Sequence, residues 1–277
     1  MLRILLFLGT NLAVLFMAAI AMAALTALGV IPPNAPYTAM LIWCALFGFG
    51  GSIFSLAISK WVAKKSTRAH VIESPSNDTE QWLVTTVKRQ AEQAGIGMPE
   101  VAVFDSPDPN AFATGMFRNN ALVAVSTGLL RLMNKQEVEA VLGHEISHVA
   151  NGDMVTLTLI QGVLNTFVLF IARIIASQFD RGRFMIYMAL QMAFGILASM
   201  IVAWFSRRRE FRADAGGADL ESAGAMAAAL NRLRAMQDAP SQLPDSLNAF
   251  GIRGGGMRKL MATHPPLEER IARLQSH

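Results

Sequence analysis

The chain of 277 residues has one cysteine, Cys44, so no disulfide can form within it and no cysteine cluster can hold zinc. Cys44 lies in an apolar run, where a small buried side chain is its plain reading. Charge is scarce too: 16% of residues are charged against 53% hydrophobic, and the mean hydropathy is +0.37. Those proportions exclude an ordinary soluble domain and point to a membrane protein. The net charge is +4 and the pI about 9.6, but the basic residues cluster beside apolar runs. That placement fits anionic lipid headgroups and argues against a nucleic-acid partner. The segment GIRGGG (251–256) lacks the lysine and the serine or threonine of a phosphate loop, which leaves a surface loop or a substrate lid. No internal repeat is present.

What is there begins with length. No charged residue occurs between Arg3 and Lys60, and two apolar segments, Leu5 to Leu28 and Tyr37 to Ser59, flank the turn-like IPPNAP. Each exceeds the ~20 residues that cross a bilayer core as a helix, so residues 1–59 are expected to form a transmembrane hairpin. The first segment is longer than the hydrophobic part of a cleavable signal peptide. Lys60, Lys64, Lys65 and Arg68 then mark a cytoplasmic flank, with Trp61 at the boundary. A second pair, Met154 to Ile175 and Phe184 to Phe205, is closed by Trp204 and by Arg207, Arg208, Arg209 and Arg212. Four spans with both termini cytoplasmic satisfy this pattern.

Between the hairpins, residues 60–153 read as a helix Thr79–Ala94, a strand Val101–Phe104, an extended Asn110–Thr114, a strand Ala121–Ser126 and a helix ending near Gly152. Residues 206–277 read as helices around Ser206–Leu220, Ser222–Met236 and Pro266–Gln275. The expected fold is therefore predominantly α with a small β-sheet. Its four parts are hairpin 1–59, cytoplasmic half 60–153, hairpin 154–205 and cytoplasmic half 206–277.

The chemistry is concentrated in VLGHEISHVANGD (141–153). His144 and His148, four apart, share one helical face and can reach one metal, while Glu145 faces its open side and can take a proton from a metal-activated water. Asn134 with Glu137 makes a capping-box start, and Gly152 is a stop signal. A third ligand is needed. His70 and His277 are poorly placed, at a membrane flank and at the terminus. Glu210 is the better candidate, and Asp214, four residues on, can hydrogen-bond the outer nitrogen of a liganding imidazole. Taken without the histidine motif, that E-x-x-x-D reads as a solvated acidic face on a basic helix.

Together, GHEISHVANGD, FSRRREFRADAGG and THPPLEERI make the chain resemble the HtpX family of bacterial membrane heat-shock metalloproteases over essentially its whole length. The related CAAX prenyl endopeptidases share the motifs but carry additional spans. The resemblance implies a zincin-like (gluzincin) domain with one Zn²⁺ per chain held by His144, His148 and Glu210, and Glu145 as general base. It also implies that Asn110, Ala111, Phe112 and Ala113, in PNAFATG, form an edge pairing with substrate backbone. The activity implied is endopeptidase cleavage of misfolded or damaged membrane proteins at the cytoplasmic face of the inner membrane.

For an oxyanion donor, His264 and Arg212 remain once the metal-binding histidines and the two tyrosines near the external side are set aside. His264 can equally serve only the start of the helix that follows it. Two competing readings are an intramembrane protease, opposed by the charged residues around the metal helix, and a silent zinc-keeping scaffold, opposed by the presence of Glu145. At 1.5 Å per residue, helices that run on unbroken would hold the site within roughly 10 Å of the membrane surface.

Overall fold

In the computed structural model, residues 37–238 and 264–276 are described, together with the isolated positions 27 and 29. The predicted first span and the segment GIRGGG lie outside the described residues. The described elements are α1 (Tyr37–Thr67), β1 (His70–Val71), α2 (Asp78–Gln93), β2 (Glu100–Phe104), β3 (Ala111–Phe117), β4 (Asn120–Ser126) and α3 (Thr127–Leu132), followed by α4 (Lys135–Asn151), α5 (Asp153–Ser177), α6 (Arg183–Leu220), α7 (Ala223–Asp238) and α8 (Leu267–Gln275). They divide into two compact units, one of residues 1–55 with 156–202, the other of 56–155 with 203–277.

The first unit is helical. Cys44 is buried with Leu41, Phe170 and Ile174, as its apolar setting predicts. Polar side chains find partners locally: the Ser52 hydroxyl donates to the Gly48 carbonyl at 2.9 Å, and the Thr166 hydroxyl to Gly162 at 2.8 Å. Many large apolar side chains are exposed, among them Phe47, Phe54, Met185 and Met192, each at least 65% exposed. Among the described residues, three helices, α1, α5 and α6, are long and apolar enough to cross a membrane. Apolar surface on this scale needs lipid or protein against it.

The second unit holds a four-stranded sheet in the order β1-β2-β4-β3. β2 and β4 are parallel, with Val101 opposite Val123. β4 is buried on both faces, which accounts for its continuous run ALVAVS. One face packs Val101, Val123 and Val125 against α2, α4 and α7 through Leu83, Val87, Leu142, Ile146, Met226 and Leu230. The other face packs Ala102, Phe104, Leu122 and Ala124 with Phe112 and Val71. β3 lies antiparallel to β4 at the sheet edge, with Ala113 opposite Val123. A register irregularity between Thr114 and Phe117 falls where Gly115 takes a φ of +136°, a backbone conformation that favours glycine.

The structure departs from the sequence reading at several elements: the short helix α3 has no counterpart there, β3 runs on to Phe117 instead of ending at Thr114, and the longest extension is at α1. α1 runs on to Thr67, past the expected end at Ser59, because the lysine-rich flank has good helix formers and no breaker before Arg68, whose φ is 51°. β1 was missed, since two residues carry no periodicity; it pairs antiparallel with β2.

Candidate active site

α4 starts where its cap requires. The Asn134 side chain accepts from the Glu137 N–H, and the Glu137 carboxylate accepts from the Asn134 N–H, both at 2.9 Å. It stops at Gly152, whose φ of 68° is left-handed. That stop ends the metal helix instead of letting it run into α5, so on this side the chain is not one unbroken helix. α6, by contrast, continues without interruption through Glu210 and Asp214. Small residues let α4 and α6 approach closely. A Cβ on Gly216 would stand 2.9 Å from the Cβ of Ser147, and one on Gly217 would stand 3.0 Å from the His144 nitrogen.

That approach brings three ligand atoms together. The Nε2 atoms of His144 and His148 are 3.1 Å apart. Glu210 Oε1 lies 3.3 Å from His148 Nε2, and Oε2 lies 3.6 Å from His144 Nε2. His144, His148 and Glu210 offer ligand atoms that all lie within 4.8 Å of one another. Zinc bonds of 2.0–2.2 Å at tetrahedral angles place ligand atoms about 3.3–3.6 Å apart, so these three residues fit a divalent metal. Two imidazoles and a carboxylate suit zinc among the candidates. Glu145, on the same helix, is half-buried where both histidines are buried.

Each histidine is backed on its outer nitrogen by a carboxylate that is itself held by an arginine. His148 Nδ1 meets Asp153 Oδ2 at 2.7 Å, and Asp153 also accepts from Arg212. His144 Nδ1 lies 2.9 Å from Asp214 Oδ1, in a short contact poorly aligned as a hydrogen bond. Asp214 accepts from Arg270 Nε and Nη2 at 2.8 and 2.6 Å. Such carboxylate contacts fix the tautomer that leaves Nε2 free as a ligand. His264 Nδ1 is 2.7 Å from Glu210 Oε2, and its side chain is 66% exposed.

Electrostatics point the same way. Burial opposes charge on His144, but Asp214 and Glu210 outweigh it and raise its pKa to about 9. His148 is also raised, with burial outweighed by Asp153 and Glu210. Burial would raise the Glu210 carboxyl, yet contacts from His144, His148 and His264 hold it far below the usual carboxylate range. The centre thus favours positive charge at the inward nitrogens, supplied by protons or by a metal ion.

Sequence reasoning missed Asp153 and Arg270. Asp153 is fully buried although it follows a glycine stop, where solvent exposure is the ordinary expectation. Arg270 had a signal: it falls on the apolar stripe Leu267, Ile271, Leu274, three residues after the first and four before the last. Of the other sequence candidates, Ala111, Phe112 and Ala113 lie on edge strand β3. Asn110 precedes the strand and exchanges hydrogen bonds with Ser126, its N–H donating to the hydroxyl at 2.9 Å and its carbonyl accepting from the Ser126 N–H at 2.8 Å. Arg212 is engaged by Asp153.

The profile of peptidase family M48 matches residues 77–277. The chain is 58% identical to Protease HtpX of Thioalkalivibrio sulfidiphilus (strain HL-EbGR7), over 99% of this chain and 98% of the relative. It is 56% identical to a Protease HtpX homolog of Thiobacillus denitrificans (strain ATCC 25259 / T1), over 99% of each. Among solved structures, the fold is similar to that of S. mikatae Ste24p, with a TM-score of 0.63 at 17% identity, covering 97% of this chain and 66% of that one. With these matches the chain belongs to peptidase family M48, among the HtpX proteases, as a membrane metalloprotease.

Proposed function

We propose that the chain is a zinc-dependent endopeptidase of the bacterial inner membrane that cleaves membrane-protein segments or peptides at the cytoplasmic face, in the service of membrane-protein quality control. The observation that carries the chemistry is the convergence of His144, His148 and Glu210 beside a half-buried Glu145. His144, His148 and Glu210 would hold one zinc ion per chain, which would supply Lewis-acid polarisation of the scissile carbonyl and acidify water. Glu145 takes the proton of the attacking water and returns it to the leaving amine. Asp153 and Asp214 hold the two imidazoles in the liganding tautomer. The free edge of β3, with Asn110 leading into it, pairs with extended substrate backbone. His264 is the better placed of the two oxyanion candidates. One ring nitrogen is held by Glu210 while the side chain is largely exposed, whereas Arg212 is held by Asp153.

The direct test is Glu145→Gln, which keeps shape and removes basicity. The variant is expected to retain zinc and fold while peptidase activity falls by several orders of magnitude; activity within tenfold of the parent would reject the mechanism. For location, single cysteines at 65, 131 and 180 in a Cys44-free chain report sidedness. The first two are expected to be shielded from an external reagent and the third to be labelled. Substrates are read by comparing membrane-protein fragments in cells carrying the parent or Glu145→Gln.

A further inference from the structure

Beside the metal centre, α6 and α8 enclose an open cavity of about 580 Å³ whose walls include Arg208, Phe211, Arg212, Arg270 and Arg273. Four guanidinium groups face one space that offers a single carboxylate, Asp214. Two of the four are already matched, Arg212 by Asp153 and Arg270 by Asp214. The other two stack on rings: Arg208 lies 4.4 Å from the Trp204 ring centre and Arg273 lies 4.7 Å from that of Phe211. Among the described residues neither has a carboxylate within ion-pair distance. Stacking holds two long, ordinarily mobile cations in place with their charge unspent, which is the arrangement that receives an anion.

Depth along α6 narrows the class of anion. The apolar stretch ends at Trp204 and Phe205, both exposed aromatic residues of the kind that sit at a bilayer interface. Arg208 follows Phe205 by three residues, about 4.5 Å along the helix, and Phe211 by six, about 9 Å. The headgroup layer is about 5–7 Å thick on each side of the hydrocarbon core. Arg208 therefore enters that layer and the cavity opens at its outer edge. A guanidinium pair at this depth matches the oxygens of a phosphodiester.

We propose that the cavity between α6 and α8 is a binding site for the phosphate headgroup of an anionic phospholipid, with Arg208 and Arg273 as its cationic walls. The proposal requires α6 to enter the membrane and is independent of the peptidase reading, so either can fail without the other. Its consequence for the enzyme is anchorage: the lipid would grip α6 and α8 together beside the Arg270 that holds Asp214.

The test uses the full-length, zinc-loaded chain in detergent, titrated with short-chain phosphatidylglycerol and, separately, short-chain phosphatidylcholine. One saturable phosphatidylglycerol site per chain is expected, and none for phosphatidylcholine. Arg208→Ala/Arg273→Ala should weaken it about 30-fold, at about fivefold per arginine. Lys65→Ala/Arg68→Ala, on the other basic flank, should leave it unchanged. Equal weakening in both double variants would overturn the site in favour of diffuse surface charge. Displacement of the lipid by inorganic phosphate at equal concentration would overturn the headgroup assignment, leaving a free-anion site. An acidic peptide that loses affinity in Arg208→Ala/Arg273→Ala while the lipid does not would overturn it in favour of substrate. If the double alanine variant loses zinc or melts early, Arg273→Gln alone carries the test, with about a fivefold loss expected.

Discussion

Arg270 grips Asp214 through two hydrogen bonds of 2.8 and 2.6 Å, and both side chains are buried. Arg270 on α8 thereby orients a carboxylate on α6 that lies 2.9 Å from His144 Nδ1. Arg270→Met and Asp214→Asn should each weaken zinc binding by about 10 to 100-fold, and the double variant should be no worse than the weaker single, since both break one chain of contacts. Chelator competition gives the affinities; independent, additive losses would show that the two act separately.

Glu210 and Asp153 separate by role. Glu210→Ala should lose zinc outright, and Asp153→Asn should keep it with affinity reduced about 10 to 100-fold. Metal analysis of purified protein decides this. Stoichiometric zinc in Glu210→Ala would remove Glu210 as a ligand.

These contacts also show where sequence legibility ends. His144, His148, Glu210 and Asp214 could be singled out because fixed helical spacings put them on common faces. Asp153 backs a histidine only five residues earlier, but across the Gly152 stop, where no fixed helical spacing places it; its arginine partner lies 59 positions away, and Arg270 lies 56 positions from Asp214. The sheet was legible for the same reason in reverse: β2 and β4 carry unmistakable strand runs, whereas β1 is two residues held by its neighbour.

Metal uptake should release protons. In the metal-free chain His144 is held protonated up to about pH 9, and a metal needs its nitrogen bare. Calorimetry at pH 7.5 in two buffers of different ionisation enthalpy should report release of at least one proton, falling away above pH 9. The same raised pKa adds stability to the metal-free chain below the unfolded value of about 6.5, and that gain is lost as pH rises through about 9. Melting temperature of the metal-free chain should therefore decline from pH 6.5 to 9, and that of the zinc-loaded chain should not follow it.

Gly216→Ala tests the close crossing of α4 and α6. Inside an exposed helix this exchange is worth up to about 1 kcal/mol in favour of alanine. Here the new Cβ meets Ser147, so the sign should reverse: a lower melting temperature and weaker zinc binding. Gly224→Ala, exposed in α7 with only the Ser222 hydroxyl in ordinary contact with the new Cβ, should hold or raise the melting temperature.

His264→Ala should keep zinc and KM while kcat falls by about 10² or more if the ring donates to the oxyanion. Unchanged kcat with a lowered melting temperature would assign His264 to the start of α8 and turn attention to Arg212.

The division of the second unit into residues 56–155 and 203–277 has a consequence for biosynthesis. The ribosome delivers His144 and His148 first, then the whole apolar stretch, then Glu210, and Arg270 almost last. Throughout that interval the newborn chain holds two of the three residues that converge on the candidate metal site and lacks the arginine that grips Asp214. On the proposed mechanism, activity arises only after the apolar stretch has been made, so a chain stalled during membrane insertion would be without peptidase activity.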